Sequence, residues 1–399
     1  MKNNRLLFST SVILLISALA LISCTQTADR VKEASAPRQE SHGLWTDNGD
    51  PGLTALAEKL RNSNTRRTHI LVLGDSHTAA DFLSGQLRQA FQEKYGNGGI
   101  GFVSPMAVPG NRYNNVSYGK TKNWKLENSR RLSNPGFTLG GNIATPLTGS
   151  SDIQVNVRDG EAQIQAQVLY RSQGAATLQL QQQPLALGDT QGHWALSDAA
   201  QVPSSFSLSL ADGGGAQLAG LWLTSAQPHG VIVSALGTNG AQISILDKWH
   251  DNWGAVLNKL APDLVILAYG TNEAFNTDID LAEYQRNLTR QIRIIRQMQP
   301  DAAVLLVGPG SSVMNKKGAD CSQRESPVLQ SIIDIQKQVA QNEHTLFWDW
   351  YAWMGGRCSI ERLANQGKAR PDLIHLTAEG YQATANALWQ DLMSAVNAR

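Results

Sequence analysis

The sequence predicts an α/β protein of three layers, with helices on both faces of a parallel β-sheet and an all-β segment inserted into it. Short apolar stretches, each suited to one buried strand, alternate with segments whose apolar residues recur every three to four positions. One long interval instead alternates apolar and polar residues, which is typical of antiparallel strands. The alternation of strand and helix favours right-handed crossovers around a parallel sheet.

Five apolar stretches are the expected parallel strands: Ile70–Leu73, Val231–Leu236, Leu264–Ala268, Val304–Val307 and Leu346–Trp348. Helical spacing follows or separates them. It runs from Asp81 to Lys94 and then through three apolar series: Ile243, Leu246, Trp249 and Trp253; Tyr284, Leu288, Ile292 and Ile295; Tyr381, Leu388, Leu392 and Val396.

The interval 106–225 has the period of two, as in Ile153, Val155 and Val157. Gly, Asp, Pro and Gln turns separate its strands, so we expect an inserted β-sandwich that divides the α/β domain into the ranges 51–105 and 226–399. Its tryptophans and tyrosines include candidates for sugar-binding platforms, although most such rings are expected in the core.

The N-terminus is expected to direct export. Lys2 and Arg5 precede the apolar run Leu6–Ile22, and the following Ser23 and Cys24 resemble a bacterial lipobox. The resemblance implies a signal peptide at 1–23, acylation of Cys24, and a tether at 24–50 that lacks apolar periodicity. Since Thr25 follows the cysteine, a periplasmic protein anchored to the outer membrane is expected; an uncleaved anchor helix is the alternative.

Net charge limits the kinds of partner, and the cysteine content indicates a disulfide. The 399 residues hold 34 basic and 33 acidic side chains, and losing Lys2 and Arg5 with the signal takes the formal charge from +1 to −1. Such a balance argues against nucleic acid as a partner. Cys321 and Cys358 are the other cysteines. Export favours a disulfide between them over two free thiols, and further metal ligands at suitable spacing are missing from the sequence around them.

The first chemical motif is the run Gly74, Asp75, Ser76, His77, which follows an expected strand and precedes an expected helix. Open α/β sheets build their sites at the carboxyl ends of strands, where a serine can expose its hydroxyl. Ser76 is therefore the candidate nucleophile. His77 is the less suitable base, because adjacent side chains at a turn diverge, and it is expected to have a structural or substrate-adjacent role.

A second motif lies near the C-terminus, where Asp372 and His375 stand three residues apart in the run Asp-Leu-Ile-His. A serine nucleophile needs a histidine that takes its proton and a carboxylate that fixes the histidine tautomer. One loop supplies both groups, so Ser76, His375 and Asp372 form the predicted catalytic triad.

The expected oxyanion hole combines three donors. Ser76 supplies its backbone amide, Gly240 follows a strand in the run Gly237-Thr-Asn-Gly240, and Asn272 follows another strand in the run Gly-Thr-Asn-Glu. Neutral amides stabilise an oxyanion without titrating themselves. Gly237 is the alternative glycine.

These four blocks, with Ser76, Gly240, Asn272 and His375, resemble the SGNH, or GDSL-like, hydrolases across about 69–104 and 226–396. The lipobox, the segment Gly96–Phe102 and the β insertion resemble the Gram-negative peptidoglycan O-acetylesterases more narrowly. The resemblance implies a flavodoxin-like hydrolase domain, an insertion similar to a carbohydrate-binding module, and no metal or organic cofactor.

The implied reaction is the removal of acetyl from the C6 hydroxyl of N-acetylmuramic acid in O-acetylated peptidoglycan through an acetyl-enzyme. Two alternatives stay open. An O-acetyltransferase would use the same triad, and a glycan-binding lipoprotein would carry a silent one.

Overall fold

The structure is a computed structural model that describes residues 44–210, 215–249 and 253–399. These residues belong to one compact unit. Within these ranges, every helix is too short or too polar to cross a lipid bilayer. The expected export signal and Cys24 lie outside the described residues.

Strands are numbered here in chain order. They are β1 Trp45–Asp47, β2 Arg67–Gly74, β3 Gly101–Val103, β4 Val116–Lys122, β5 Trp124–Asn128, β6 Asn142–Pro146, β7 Ser151–Val157, β8 Gln163–Arg171, β9 Ala176–Leu180, β10 Gln183–Leu187, β11 Ala195–Leu196, β12 Ala200–Pro203, β13 Ser205–Leu210, β14 Gln217–Ser225, β15 Gly230–Gly237, β16 Leu264–Ala268, β17 Ala303–Val307 and β18 Leu346–Trp348.

Helices are numbered in the same way, and one further helix is of the 3₁₀ type. They are α1 Leu53–Arg61, α2 Ser76–Ala79, α3 Phe82–Tyr95, the 3₁₀ helix Ile243–Lys248, α4 Trp253–Leu260, α5 Thr271–Ala274, α6 Leu281–Met298, α7 Cys321–Arg324, α8 Leu329–Asn342, α9 Trp350–Met354, α10 Ser359–Asn365 and α11 Ala378–Asn397.

The central sheet has the strand order β1-β18-β17-β16-β2-β15. Its strands are parallel except for β1, which runs antiparallel to β18. Gly74, at the end of β2, lies opposite both Gly237 of β15 and Ala268 of β16. The carboxyl ends of these three neighbouring strands therefore meet at one edge, where a site can form.

Alternate residues of β2 point into two separate cores. Leu71 and Leu73 pack with the face that holds α4, α6 and α8, whereas Ile70 and Val72 pack with the face that holds α1, α3 and α11. Each fully buried aliphatic side chain of this kind contributes about 1.5–3 kcal/mol. This alternation confirms the expected three layers, and all five predicted parallel strands are present.

Two antiparallel sheets hold β3 to β14. One has the order β10-β9-β13-β7-β4; the other contains β11, β8, β14, β6 and β5, with β12 paired to β8 and β3 to β14. Side chains from both sheets share one core, and Phe102 and Leu169 reach into the core of the α/β layers. The expected bounds of the inserted module at 106–225, and its likeness to a carbohydrate-binding module, remain predictions.

Two local predictions are wrong. The tether was expected to run to residue 50, but Trp45–Asp47 pair with β18 at the edge of the sheet. One helix was expected from Ile243 to Trp253, but the segment begins as a 3₁₀ helix and Trp249 leaves helical geometry. Trp249 is nevertheless buried, because the apolar spacing serves the core in either helical form.

Candidate active site

Ser76 lies where β2 gives way to α2 at the carboxyl edge of the sheet. Asp75 caps α2 by accepting a hydrogen bond from the His77 backbone N–H at 2.9 Å. As the first residue of the helix, Ser76 has a backbone N–H without an intrahelical acceptor. A Cβ at Gly74 would lie 2.1 Å from the Thr78 hydroxyl oxygen, so glycine is required for this tight turn.

The predicted triad side chains lie within hydrogen-bonding distance of one another. His375 Nε2 lies 2.8 Å from Ser76 Oγ, and His375 Nδ1 lies 3.0 Å from Asp372 Oδ2. With Nδ1 protonated and donating to Asp372, Nε2 is left to accept the serine proton. The three groups are arranged for nucleophilic attack by Ser76.

Asp372 is held as an anion by its own loop. Burial raises the pKa of its carboxyl group, but the backbone N–H groups of His375 and Ile374 and the imidazole of His375 outweigh this, so the pKa lies below its usual range. Asp372 Oδ1 accepts both N–H groups at 2.9 Å. Leu373, which follows Asp372, adopts a left-handed conformation with φ of 59°, which costs a non-glycine residue about 1–2 kcal/mol.

Asn272, at the start of α5, joins the two other expected donor segments. Its Nδ2 donates to the Ala241 carbonyl at 2.9 Å and makes a long contact of 3.3 Å with Asp75 Oδ2. Ala241 is adjacent to Gly240 and Asp75 is adjacent to Ser76. The amide of Asn272 therefore lies between the segments that carry the other two predicted oxyanion donors.

The structure distinguishes the two candidate glycines. Gly240 is exposed in a turn with φ of 71°, whereas a Cβ at Gly237 would lie 2.1 Å from the Ala79 backbone nitrogen. Gly237 is thus a packing glycine against α2. Gly240 can face a substrate, as the sequence-based choice requires.

Two buried carboxyl groups lie beneath these donors. Burial raises the pKa of Asp75 to about 8; the hydrogen bond from His77 opposes the shift, and the nearby Glu273 adds to it. Burial likewise raises the pKa of Glu273 to about 7. Glu273 accepts hydrogen bonds from the backbone of Ile243 at 2.6 Å and Gly270 at 3.0 Å, which ties the strand ends together.

The contacts of His77 indicate a structural role. Its Nδ1 lies 2.7 Å from the Tyr381 hydroxyl oxygen, and its ring is buried against Trp350. Burial, with a smaller contribution from His375, lowers the pKa of His77 to about 3. A neutral His77 therefore supports the ring of His375, which lies 5.2 Å away between centroids, without competing for the Ser76 proton.

The predicted disulfide joins Cys321 to Cys358, with their Cα atoms 5.8 Å apart. The segment that precedes Cys321 braces the catalytic loop. Val313 N–H donates to the Leu373 carbonyl at 2.9 Å, and Lys316 Nζ donates to the Pro371 carbonyl at 2.9 Å. Glu361 lies beside the two cysteines, whose sulfur atoms are bonded to each other.

Two family models match this chain. The model of the GDSL-like Lipase/Acylhydrolase family matches residues 186–383, and the model of the peptidoglycan O-acetylesterase N-terminal region matches residues 98–204. A search of curated proteins finds no match.

Among solved structures, one described as "Peptidoglycan O-acetylesterase in action, 5 min" is 32% identical, with a TM-score of 0.81; the alignment covers 90% of this chain and 100% of that one. A Bacillus subtilis protein is 16% identical over 74% of this chain and 98% of its own, with a TM-score of 0.34. An acetyl xylan esterase is 18% identical over 40% and 79%, with a TM-score of 0.32. The last two are too distant to support an argument.

Proposed function

Because this chain belongs to the peptidoglycan O-acetylesterase family, we propose that it removes O-acetyl groups from peptidoglycan as a serine esterase. The observation that carries the proposal is the hydrogen-bonded series Ser76, His375, Asp372 at the carboxyl edge of the sheet. The scissile ester is assigned to the C6 hydroxyl of N-acetylmuramic acid, on the basis of resemblance to the family.

In the first step, His375 Nε2 takes the hydroxyl proton of Ser76 as Oγ bonds to the acetyl carbonyl carbon. The carbonyl π electrons move to oxygen. The resulting oxyanion is stabilised by the backbone N–H groups of Ser76 and Gly240 and by the side-chain amide of Asn272. When the tetrahedral intermediate collapses, the bond to the sugar oxygen breaks. His375 returns the proton to that oxygen and an acetyl-enzyme remains.

In the second step, water loses a proton to His375 and attacks the acetyl group on Ser76. The bond to Oγ breaks, the proton returns to Ser76, and acetate leaves. Asp372 stays ionised throughout and stabilises the imidazolium that forms twice. The chemistry uses only groups of this chain and water.

The location of the enzyme is part of the proposal. Acylation of Cys24 would tether the enzyme to the outer membrane on the side that faces peptidoglycan. Intact-mass analysis of the mature protein tests this step: a lipid-modified N-terminal Cys24 supports it, and an unmodified or uncleaved N-terminus contradicts it.

The experiment that tests the function measures acetate released from O-acetylated peptidoglycan by the exported domain. Ser76→Ala and base-treated, de-O-acetylated peptidoglycan serve as controls. Release by the unaltered enzyme from the acetylated polymer alone supports the proposal. Activity only on small activated esters would rule out this substrate, and acetyl transfer to an added chito-oligosaccharide in preference to water would indicate a transferase.

A further inference from the structure

A cleft of about 300 Å³ lies between the loop 107–118 and Arg158. This volume is at the lower end of the range for ligand clefts. Its polar lining includes Asn111, Arg112, Asn114 and Arg158. The catalytic mechanism uses none of these side chains.

Hydrogen bonds fasten the cleft wall to α2, which begins at Ser76, and to the end of β15, the strand that leads to Gly240. Asn111 Nδ2 donates to the Gly237 carbonyl at 2.8 Å, and the Arg112 backbone N–H donates to the Ala79 carbonyl at 3.0 Å. Ala79 is three residues beyond Ser76 in α2, which corresponds to a rise of about 4.5 Å. The wall of the cleft is thus bonded to the same short helix that carries Ser76.

The cleft presents two guanidinium groups. Arg112 and Arg158 are exposed; Arg112 donates to Asn114 Oδ1 at 2.8 Å and Arg158 to the Asn114 carbonyl at 3.2 Å. Arg112 is also stacked over the Phe82 ring, 4.2 Å from its centroid. No acidic side chain lines the cleft among the described residues. Within those same residues, neither Arg112 nor Arg158 forms an ion pair with a carboxylate.

We propose that this cleft is a binding subsite for a carboxylate of the glycan strand next to the acetylated sugar, held by Arg112 and Arg158. Arginine presents paired N–H donors that match a carboxylate, and such charge-assisted hydrogen bonds are strong. The inference rests on the proposed function. It predicts that the enzyme prefers acidic glycans to neutral acetyl esters. The carboxylate can belong to the stem peptide or to the lactyl group left when the peptide is removed.

The test compares kcat/KM for Arg158→Gln and Arg112→Gln on three substrates. These are O-acetylated peptidoglycan with its stem peptides, the same strands after amidase treatment, and neutral 4-nitrophenyl acetate. Lys120→Gln is the matched control, because it removes one exposed positive charge from β4 outside the cleft. In the hydrogen bonds above, the Arg158 side chain donates only to Asn114. The Arg158→Gln variant therefore leaves α2 undisturbed.

We expect the ratio of kcat/KM on the acidic glycan to that on the neutral ester to fall at least about tenfold in each arginine variant, mainly through KM. Lys120→Gln should leave this ratio within about twofold. A loss on the amidase-treated strands alone assigns the lactyl carboxylate, which is in an amide bond while the peptide is attached. A loss on the peptide-bearing strands alone assigns a stem-peptide carboxylate, and a loss on both shows that the subsite accepts either.

An unchanged ratio in Arg158→Gln, or an equal loss on the neutral ester, would overturn the subsite. That result differs from failure of the proposed function, in which the unaltered enzyme itself releases no acetate from either glycan. Arg112→Lys separates charge from shape, since it keeps the cation without the paired donors. If Arg112→Lys restores less than half of the kcat/KM ratio that Arg112→Gln loses, the result supports the carboxylate subsite. If the Arg112 variants have a lowered Tm, Arg158→Gln decides.

Discussion

His375 Nε2 lies 2.8 Å from Ser76 Oγ, although 299 residues separate the two in sequence. The α11 helix follows the loop of His375 directly and packs beside α3, while Ser76 is held at the end of β2. The packing of the last helix therefore brings His375 to Ser76.

Asp372→Asn should lower kcat by about 10³–10⁴-fold with little change in Tm. The amide cannot stabilise the imidazolium of His375 and favours the wrong tautomer. Steady-state acetate release and thermal unfolding check this. Retention of more than a tenth of the activity would remove Asp372 from the triad.

Asn272→Ala should lower kcat by about 10²–10³-fold while KM changes little, because the lost amide acts on the charge that develops in the transition state. Asn276→Ala is the control, since Asn276 is exposed just beyond α5. A rise in KM at constant kcat would instead assign Asn272 to ground-state binding.

Replacing Cys321 and Cys358 together by serine should lower the free energy of unfolding by about 4 kcal/mol, from the entropy of a loop of this length. The two positions are separated by 37 residues. Denaturant unfolding of the variant and of the oxidised enzyme measures the difference. A loss under about 1 kcal/mol would contradict the view that this crosslink stabilises the fold by restricting the unfolded chain.

Glu273 should make stability depend on pH. Burial raises the folded-state pKa of its carboxyl group to about 7 from its ordinary value of 4.5. Between these values the folded state therefore binds more protons than the unfolded one. The free energy of unfolding therefore falls as pH rises through this window. The Glu273→Gln variant does not lose stability in this way, because an amide does not titrate.

The destabilisation caused by Glu273→Gln should consequently shrink by up to about 3 kcal/mol between pH 5 and pH 8. Unfolding of both proteins at matched ionic strength measures it, and Glu283→Gln on the exposed first turn of α6 is the control. A destabilisation that stays constant, or grows with pH, would contradict the raised pKa.

The sequence predicts features whose causes are local. The strands Leu264–Ala268 and Leu346–Trp348 match the structure residue for residue, because uninterrupted apolar runs are buried on both faces. Asp372 and His375 stand on one loop, so their spacing alone brings them together.

Features that depend on distant packing were missed. In the sequence, Glu273 resembles an ordinary turn residue. Only the fold brings the backbone N–H groups of Ile243 and Gly270 to its buried carboxylate. The partner of His77 is Tyr381, 304 residues away. The loop of Asn111 and Arg112 has no periodicity, so its position against α2 could not be anticipated from sequence.

The most direct test of the account is to find the acetyl group on Ser76 during turnover. The enzyme is mixed with O-acetylated peptidoglycan fragments, quenched in acid within one turnover and digested for mass spectrometry. The account predicts one acetyl group on the peptide that contains Ser76, absent from Ser76→Ala and lost when the quench is delayed. Steady acetate release with no acetyl on Ser76, or undiminished release by Ser76→Ala, would contradict it.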